Sequence, residues 1–493
     1  MSARERSTVA PRATSNWPAA HARFRPDAEA IYDVSTGRRW TYAALHTDVR
    51  RWAGRLHRAG VVPGDRVAVL AHNRGETLAL LFACADLGAI LLPMNWRLAD
   101  DELRWQLEHC TPCVIFSSAE HANRIGGDCL DDGPAEDEFV GPGSELDAAW
   151  VLMYTSGSTG KPKGALLTHG QLHWNAINTT LACDLTPQDA TLTFTPLFHT
   201  GGLNCLTTPL LHRGGRVVLT SGFDAGEALS LIASQNISCL MGVPTLFQML
   251  ADHPKFAAAD LSSVRDALVG GAALPASLHH IYHARNIPLR QGFGLTEVGP
   301  NCFSLPPTEV ERKAGTVGLP APHMDARIVR SDGCECAVDE PGELILGGPA
   351  VCGGYWNDPI ATAAAIQQGW FHTGDVLSRD AEGYYTVRGR IKEMYKSGGE
   401  NVYPPEVEAV LQACPGVALA AVIGVPDARW GEVGRAFVEP AAGTQLDAAA
   451  VHAFLNGKLA RFKLPKEIAI LPALPRTASG KVDRPALRAW ECA

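Results

Sequence analysis

The chain has 493 residues, 46% of them hydrophobic and 19% charged, a globular composition too long for one ordinary core. Two or more domains are expected, and disorder or coiled coil is excluded for the chain as a whole. The formal net charge of −9 gives no electrostatic footprint for nucleic acid or an anionic membrane, so any phosphate site must be built locally from backbone amides, lysines and metal.

The N-terminus (MSARERSTVAPRATSNWP) carries charge with no apolar stretch behind it. It is not a secretory signal and reads as a frayed tail. Residues 66–71, 90–93, 113–116, 151–154, 217–219, 239–243 and 267–269 read as short apolar strands. Between several of them lie amphipathic stretches at 76–87, 102–109 and 226–235. This alternation predicts an α/β architecture of layered sheets and helices with substantial parallel sheet. The apolar run 77–93 is broken by Asp86 and reads as a helix and a strand, not a membrane span. Residues 126–143, acidic and rich in Gly and Pro, read as an exposed loop.

After about residue 315 the pattern turns to short strands (326–329, 343–346, 384–388), which predicts a small β-rich subdomain. Residues 389–408 are dense in charge and glycine. Beyond them, helices at 405–412 and 448–459 and strands at 419–425 and 436–438 predict a small α+β domain. The expected division is 1–389, a hinge at 390–392, and 393–493. Thirteen cysteines include one CxxC (Cys110, Cys113) and one CxC (Cys334, Cys336), with no histidine or second CxxC to complete a zinc pattern. They read as reduced thiols of a cytoplasmic protein.

The strongest local signal is Tyr154-Thr155-Ser156-Gly157-Ser158-Thr159-Gly160-Lys161-Pro162-Lys163-Gly164, which follows an apolar strand. Its glycines allow close backbone approach, its hydroxyls and amides suit phosphate oxygens, and two lysines add charge. It is not a Walker A loop, because Pro162 stands where Ser or Thr would hold magnesium. Downstream come Val269-Gly270-Gly271-Ala272, then Gln291-Gly292-Phe293-Gly294-Leu295-Thr296-Glu297, then Thr373-Gly374-Asp375. Gly389-Arg390-Ile391-Lys392-Glu393, Lys396-Ser397-Gly398-Gly399 and Pro475-Arg476-Thr477-Ala478-Ser479-Gly480-Lys481 complete the series. Taken singly, most of these are ordinary turns or solvated lysines; their weight lies in their order.

In that order the motifs resemble those of the acyl-adenylate-forming superfamily: acyl-CoA synthetases, nonribosomal peptide adenylation domains and firefly-type luciferases. The resemblance covers nearly the whole chain. It implies a large N-terminal domain, a small mobile C-terminal domain, and ATP, Mg²⁺ and coenzyme A as reactants and cofactor. By the same resemblance Thr155, Ser156, Gly157, Ser158, Thr159, Gly160, Lys161 and Lys163 bind phosphate. Gly270, Gly271 and Ala272 pass adenine and the acyl group by their backbone, and Phe293, in the motif with Gln291, Gly292 and Gly294, lies against adenine. Thr296 contacts phosphate, and Glu297 holds Mg²⁺ as a carboxylate suited to a hard cation.

Asp375 is implied to accept the ribose hydroxyls, with Arg390 beside it. Lys392 is the implied pivot, and Lys396, Gly398 and Gly399 line the pantetheine channel. Lys481 is the implied catalytic lysine, which the chemistry requires because an anionic carboxylate must attack an anionic α-phosphate. Pro196-Leu197-Phe198-His199-Thr200-Gly201-Gly202-Leu203-Asn204 resembles the acyl-pocket segment of CoA ligases, with His199 at its mouth. The function implied is a carboxylate–CoA ligase of the AMP-forming type, the alternative acceptor being a carrier-protein phosphopantetheine thiol. A catalytically dead binding relative fits poorly with Lys481, Glu297 and Asp375 all being present. Fatty and aromatic acids stay open; no cation awaits a second carboxylate. A homodimer is compatible with these readings.

Overall fold

The computed structural model describes residues 15–155, 162–477 and 481–490. The expected frayed N-terminal tail lies outside the described residues up to residue 14, but its end is not frayed: Asn16 caps the helix Trp17–Phe24 and Trp17 is buried. Ser156, Gly157, Ser158, Thr159, Gly160, Lys161, Ala478, Ser479 and Gly480 also lie outside the described residues. The chain folds as two compact units. The first comprises Met1–Ala314, Gly318–Asp325 and Leu346–Phe371; the second comprises Gly315–Val317, Ala326–Ile345 and His372–Ala493.

The first unit is built on two large sheets. One has six strands in the spatial order Asp128–Cys129, Val114–Ser117, Arg66–Leu70, Ile90–Pro93, Ala149–Thr155 and Lys163–Thr168. Its pairs are parallel except the last, an antiparallel hairpin. The other has nine strands, parallel through its centre from Glu29–Asp33 to Leu289–Leu295 and antiparallel at both edges. Parallel strands covered on both faces read as unbroken apolar runs, which is why they were legible.

The helix Gly75–Leu87 is apolar on every side, and twelve of its thirteen residues are buried. A helix of that kind belongs in a core. It packs with the helix Tyr42–Arg58 and with side chains of both sheets, among them Val67, Leu91, Val151, Ile31 and Val217, in one hydrophobic cluster. Trp150 donates its indole N–H to the Leu81 carbonyl at 2.7 Å. Gly75 is obligatory, because a Cβ there would lie 2.6 Å from the Trp40 ring.

The second unit contains the strand Trp370–Arg379 from His372 onward, paired antiparallel with Tyr385–Arg390. It also holds a five-stranded sheet centred on Val417–Asp427 and Gly431–Pro440. The helices Pro404–Gln412 and Ala448–Leu455 cover one face through Val407, Leu411, Val451 and Leu455; Ile423, Phe437, Leu474 and Leu487 form the core of the other. The mixed α/β class and the smaller α+β C-terminal part agree with expectation.

Two further local expectations are corrected. The loop expected at 126–143 carries a short strand, Asp128–Cys129, and buries Leu130. Gly127, at φ +89°, lets the chain pass where a Cβ would meet the Ile115 carbonyl at 2.4 Å. The helix expected over 448–459 stops at Leu455, because Asn456 is extended and Gly457 takes φ +79°. Among the described residues no helix is long and apolar enough to cross a membrane.

Candidate active site

The phosphate-loop motif sits at the closed end of the hairpin Ala149–Thr155 and Lys163–Thr168. Thr155 and Lys163 are cross-strand partners, and the Thr155 hydroxyl donates to the Lys163 carbonyl at 3.4 Å. A third segment lies beside this hairpin. Leu166 donates to Gly354 O, Gly353 to Leu166 O and Trp356 to Gly164 O, at 2.7–2.9 Å. This places Tyr355 opposite Ala165, with the Lys163 ammonium 5.0 Å from its ring centroid.

The Tyr355 hydroxyl donates to Glu297 Oε1 at 2.9 Å. Burial and the Glu297 charge push the phenol pKa well up, so Tyr355 stays a donor at neutral pH. Thr296 and Glu297 are buried in the turn between the strands Leu289–Leu295 and Gly299–Ser304. Gln171 donates its side-chain amide to the Thr296 carbonyl at 2.9 Å, and Cys352 donates its backbone N–H to Glu297 O at 2.7 Å. Glu297 is thus held by two hydrogen bonds, and its neighbour Thr296 by a third.

The strand that ends in this turn also organises the segment beside it. The Gln291 side chain accepts from Leu274 N at 2.6 Å and donates to Ala272 O at 3.1 Å, bracing Gly270, Gly271 and Ala272. Gly271 adopts φ +78°. Gly294 has no alternative, since a Cβ would fall 2.2 Å from Pro300 C. Gly292 has only ordinary contacts around it. Phe293 meets Phe303 edge-on, ring centroids 5.8 Å apart.

The acyl-pocket segment is a short helix, Thr200–Gly202, that continues into a π-helical turn, Leu203–Thr207, a feature that collects at functional sites. His199 flanks its start, exposed, and its carbonyl accepts from Gly202 and Leu203 at 3.0 Å. A Cβ on Gly201 would come within 3.0 Å of Met241 Cε, and one on Gly270 within 3.8 Å of the same atom. Met241 therefore sits between the two glycine segments.

The remaining candidates belong to the second unit. Asp375 and Arg390 are cross-strand partners, joined by Nε to Oδ1 at 2.8 Å. Asp375 is 3% exposed, and its Oδ2 is buried with no hydrogen-bond partner among the described residues. Burial raises the carboxyl pKa, and Arg390 opposes that shift. Thr373 holds the turn by accepting from Asp375 N at 3.0 Å and donating to Leu344 O at 2.7 Å.

Lys481 accepts, through its carbonyl, from the backbone N–H of Thr477 at 2.7 Å. Its side chain keeps solvent access, yet desolvation of the ammonium and the Arg390 charge lower its pKa against Asp375 and Glu393. Lys392 is exposed in the turn between Arg390 and Met394. Lys396 is exposed on the strand Tyr395–Ser397. Gly398 and Gly399 follow at φ +62° and +91°, and Gly398 donates to Trp430 O at 2.9 Å.

Residues 19–356 match the family model described as AMP-binding enzyme, and residues 406–481 match that of the AMP-binding enzyme C-terminal domain. The chain belongs to the AMP-binding enzyme family. It is 42% identical to a feruloyl-CoA synthase of an Amycolatopsis species, over 95% of this chain and 96% of that protein. It is also 42% identical to an indoleacetate–CoA ligase of Aromatoleum aromaticum, over 96% and 97%. Among solved structures it is similar to the o-succinylbenzoate coenzyme A synthetase of Bacillus subtilis in complex with ATP and magnesium ion. There the TM-score is 0.87 at 32% identity, covering 96% of this chain and 99% of that one.

The residues of this AMP-binding enzyme fit such ligands chemically. Asp375 presents a buried oxygen with no partner among the described residues, as a hydroxyl donor requires. Glu297 offers a carboxylate whose Oε1 is held in place, a hard oxygen ligand for Mg²⁺. Reading the sequence missed Tyr355, Gln171 and Met241. The run Gly353-Gly354-Tyr355-Trp356 was the available signal for the first; the other two stand in unmarked helix and strand.

Proposed function

We propose that this chain joins an aromatic carboxylic acid to coenzyme A. The enzyme is an ATP-dependent, AMP-forming acid–thiol ligase, with Mg²⁺ as cofactor and CoA as co-substrate. The choice of acid is carried by the wall in which Gly201 and Gly270 bracket the Met241 methyl. Because neither glycine carries a side chain, the Met241 methyl is left without Cβ neighbours at both, and thioethers make favourable contacts with aromatic rings. The two relatives at 42% identity act, by name, on feruloyl and indoleacetate substrates, both aryl acids.

In the mechanism we favour, the acid carboxylate attacks the α-phosphate of ATP and pyrophosphate leaves. The CoA thiol then attacks the acyl carbon and AMP leaves. Lys481 bridges the two anionic reactants in the first step, where the cation offsets their repulsion. Thr296, Thr155, Lys163 and the loop residues between the last two hold phosphate oxygens, and Asp375 with Arg390 orients the ribose. Mg²⁺ at Glu297 would neutralise charge on the phosphates. His199 faces the acid at the pocket mouth. We place the pivot between half-reactions at residues 390–392, Lys392 standing in an exposed turn. Lys396, Gly398 and Gly399 then pass the pantetheine arm. We place the enzyme in the cytoplasm, where the free thiols of its described cysteines are stable.

The test is AMP formation over a panel of hydroxycinnamic, indole-acetic, benzoic and C8–C16 fatty acids with ATP and free CoA. An aryl acid should give the highest kcat/KM. A fatty acid in first place overturns the aromatic reading, and acyl-AMP without acyl-CoA moves the acceptor to a carrier-protein thiol.

A further inference from the structure

Among the described residues, one group of three His, Cys, Asp or Glu side chains brings its ligating atoms within 4.8 Å of one another: His72, Glu120 and His121. All three lie in the first unit, apart from every motif assigned above. His72 leaves the carboxyl end of the strand Arg66–Leu70, and Glu120-His121 follows its parallel neighbour Val114–Ser117. Loops at the carboxyl ends of adjacent parallel strands are where α/β sheets place ligands.

We propose that these three side chains form a binding site for a zinc-class divalent cation. His72 Nδ1 lies 3.2 Å from the Ser221 carbonyl. A carbonyl only accepts, so that contact puts the proton on Nδ1 and leaves the Nε2 lone pair available, with Nε2 3.8 Å from Glu120 Oε2. A backbone carbonyl behind a histidine is the usual orienting partner of a metal ligand. His121 is 9% exposed, and its Nε2, 3.9 Å from Glu120 Oε1, is buried without a hydrogen-bond partner among the described residues. A buried imidazole nitrogen left unpaired costs free energy that a bound cation would recover.

The neighbouring positive charges are already engaged. Arg74 pairs with Asp131 at 2.7 Å, and Arg124 with Asp100 at 2.8 Å. The Glu120 carboxylate receives the Ser118 hydroxyl, at 3.2 Å on Oε1. Two imidazoles and one carboxylate suit Zn²⁺ or Co²⁺ and disfavour Mg²⁺ and Ca²⁺, which take oxygen ligands. His72 and Glu120 also line a cleft of about 270 Å³ with Ser35, Thr36, Arg74 and Ser221. The cleft leaves room for water at a fourth position. The site would tie the loops after two strands of the six-stranded sheet to the segment at Ser221.

The experiment uses the full chain without an affinity tag, stripped with chelator and dialysed against micromolar CoCl₂ or ZnCl₂ in excess Mg²⁺. One equivalent of metal should be retained by elemental analysis. The Co²⁺ form should show visible d–d absorption, and Zn²⁺ should raise the melting midpoint. His72→Asn and His121→Asn should each lose the equivalent, and Glu120→Gln should bind at least tenfold more weakly. His283→Asn, at an exposed histidine outside the group, should retain it. His72 is partly exposed, so its variant decides the matter if His121→Asn does not fold. Wild type retaining no metal, or His72→Asn retaining the full equivalent, overturns the site.

Discussion

Tyr355 and Glu297, 58 residues apart in the chain, meet through a 2.9 Å hydrogen bond in which the phenol donates to the carboxylate. The bond joins the proposed metal ligand to the segment that runs beside the phosphate-loop hairpin. It makes Tyr355 a positioning residue, acting through Glu297. Tyr355→Phe keeps the ring against Lys163 and removes only the donor. A hydrogen bond to a charged group contributes about 1.5–3 kcal/mol, so the Mg²⁺ concentration for half-maximal activity should rise about tenfold or more. A merely structural role would leave that Mg²⁺ dependence unmoved while lowering the melting midpoint.

Glu297→Ala should impair use of Mg²⁺-ATP directly. Asp375→Ala should weaken ATP binding by removing two acceptor bonds to the ribose, each about 0.5–1.5 kcal/mol net. Its Oδ2, without a hydrogen-bond partner among the described residues, makes the contrast sharper. Asp375→Asn retains one acceptor oxygen and should fall between wild type and alanine. Comparison of KM for ATP with KM for 2′-deoxy-ATP checks this: the analogue should lose less in the alanine variant than in wild type. Equal losses would move the ribose contact elsewhere.

These two predictions differ in what the sequence made legible. The strand 66–71 announced itself as an apolar run, whereas the stretch 76–87, expected to be amphipathic, is a helix buried on nearly every side. The motifs around Thr155, Glu297, Asp375 and Lys481 were legible because glycine, hydroxyl and charge crowd together there in a fixed order. Tyr355 was not, because its partner lies 58 residues away and a tyrosine after two glycines is a common turn. Met241 was hidden for a different reason: in a buried strand a methionine that fills core and one that lines a pocket have the same pattern. Asn456-Gly457 ended a helix that the apolar run alone could not end.

Three histidines in the first unit set an expected pH response. Burial holds His169 and His212 down at about 4 and lowers His173. His169 stacks on Trp150 at 4.9 Å between ring centroids, and His173 meets His212 edge-on at 5.0 Å. The folded state keeps these rings neutral, whereas the unfolded chain protonates them near pH 6.5. The unfolded state therefore binds more protons between about pH 6.5 and 4, and stability is lost as pH falls through that window. Above about pH 7 their contribution is complete; below about pH 4 it changes no further. Denaturant midpoints at about pH 7.5 and 5.0 should differ clearly, and His169→Gln should flatten the slope even at some cost in stability. Asp86, which burial raises to about 6, acts in the opposite direction, so the deciding comparison is the variant: a slope left unchanged by His169→Gln would overturn this reading.

Lys481 and Lys392 allow the two half-reactions to be separated. Lys481 lies near Asp375, Arg390 and Glu393, and their charges act on its ammonium from within one unit. It should be needed only while carboxylate meets α-phosphate, because in the adenylate that bond already exists. Lys481→Ala should lose most acyl-AMP formation yet still convert supplied acyl-AMP and CoA to thioester. Lys392→Pro should do the opposite. Proline fixes φ at about −65° and also drives the residue before it, Ile391, away from the helical region, which stiffens the turn on both sides of the proposed pivot. Adenylate should still form while thioester formation falls. The quantities to compare are acyl-AMP made from acid and ATP and acyl-CoA made from synthetic acyl-AMP. Equal loss of both by each folded variant would reject alternation about residues 390–392.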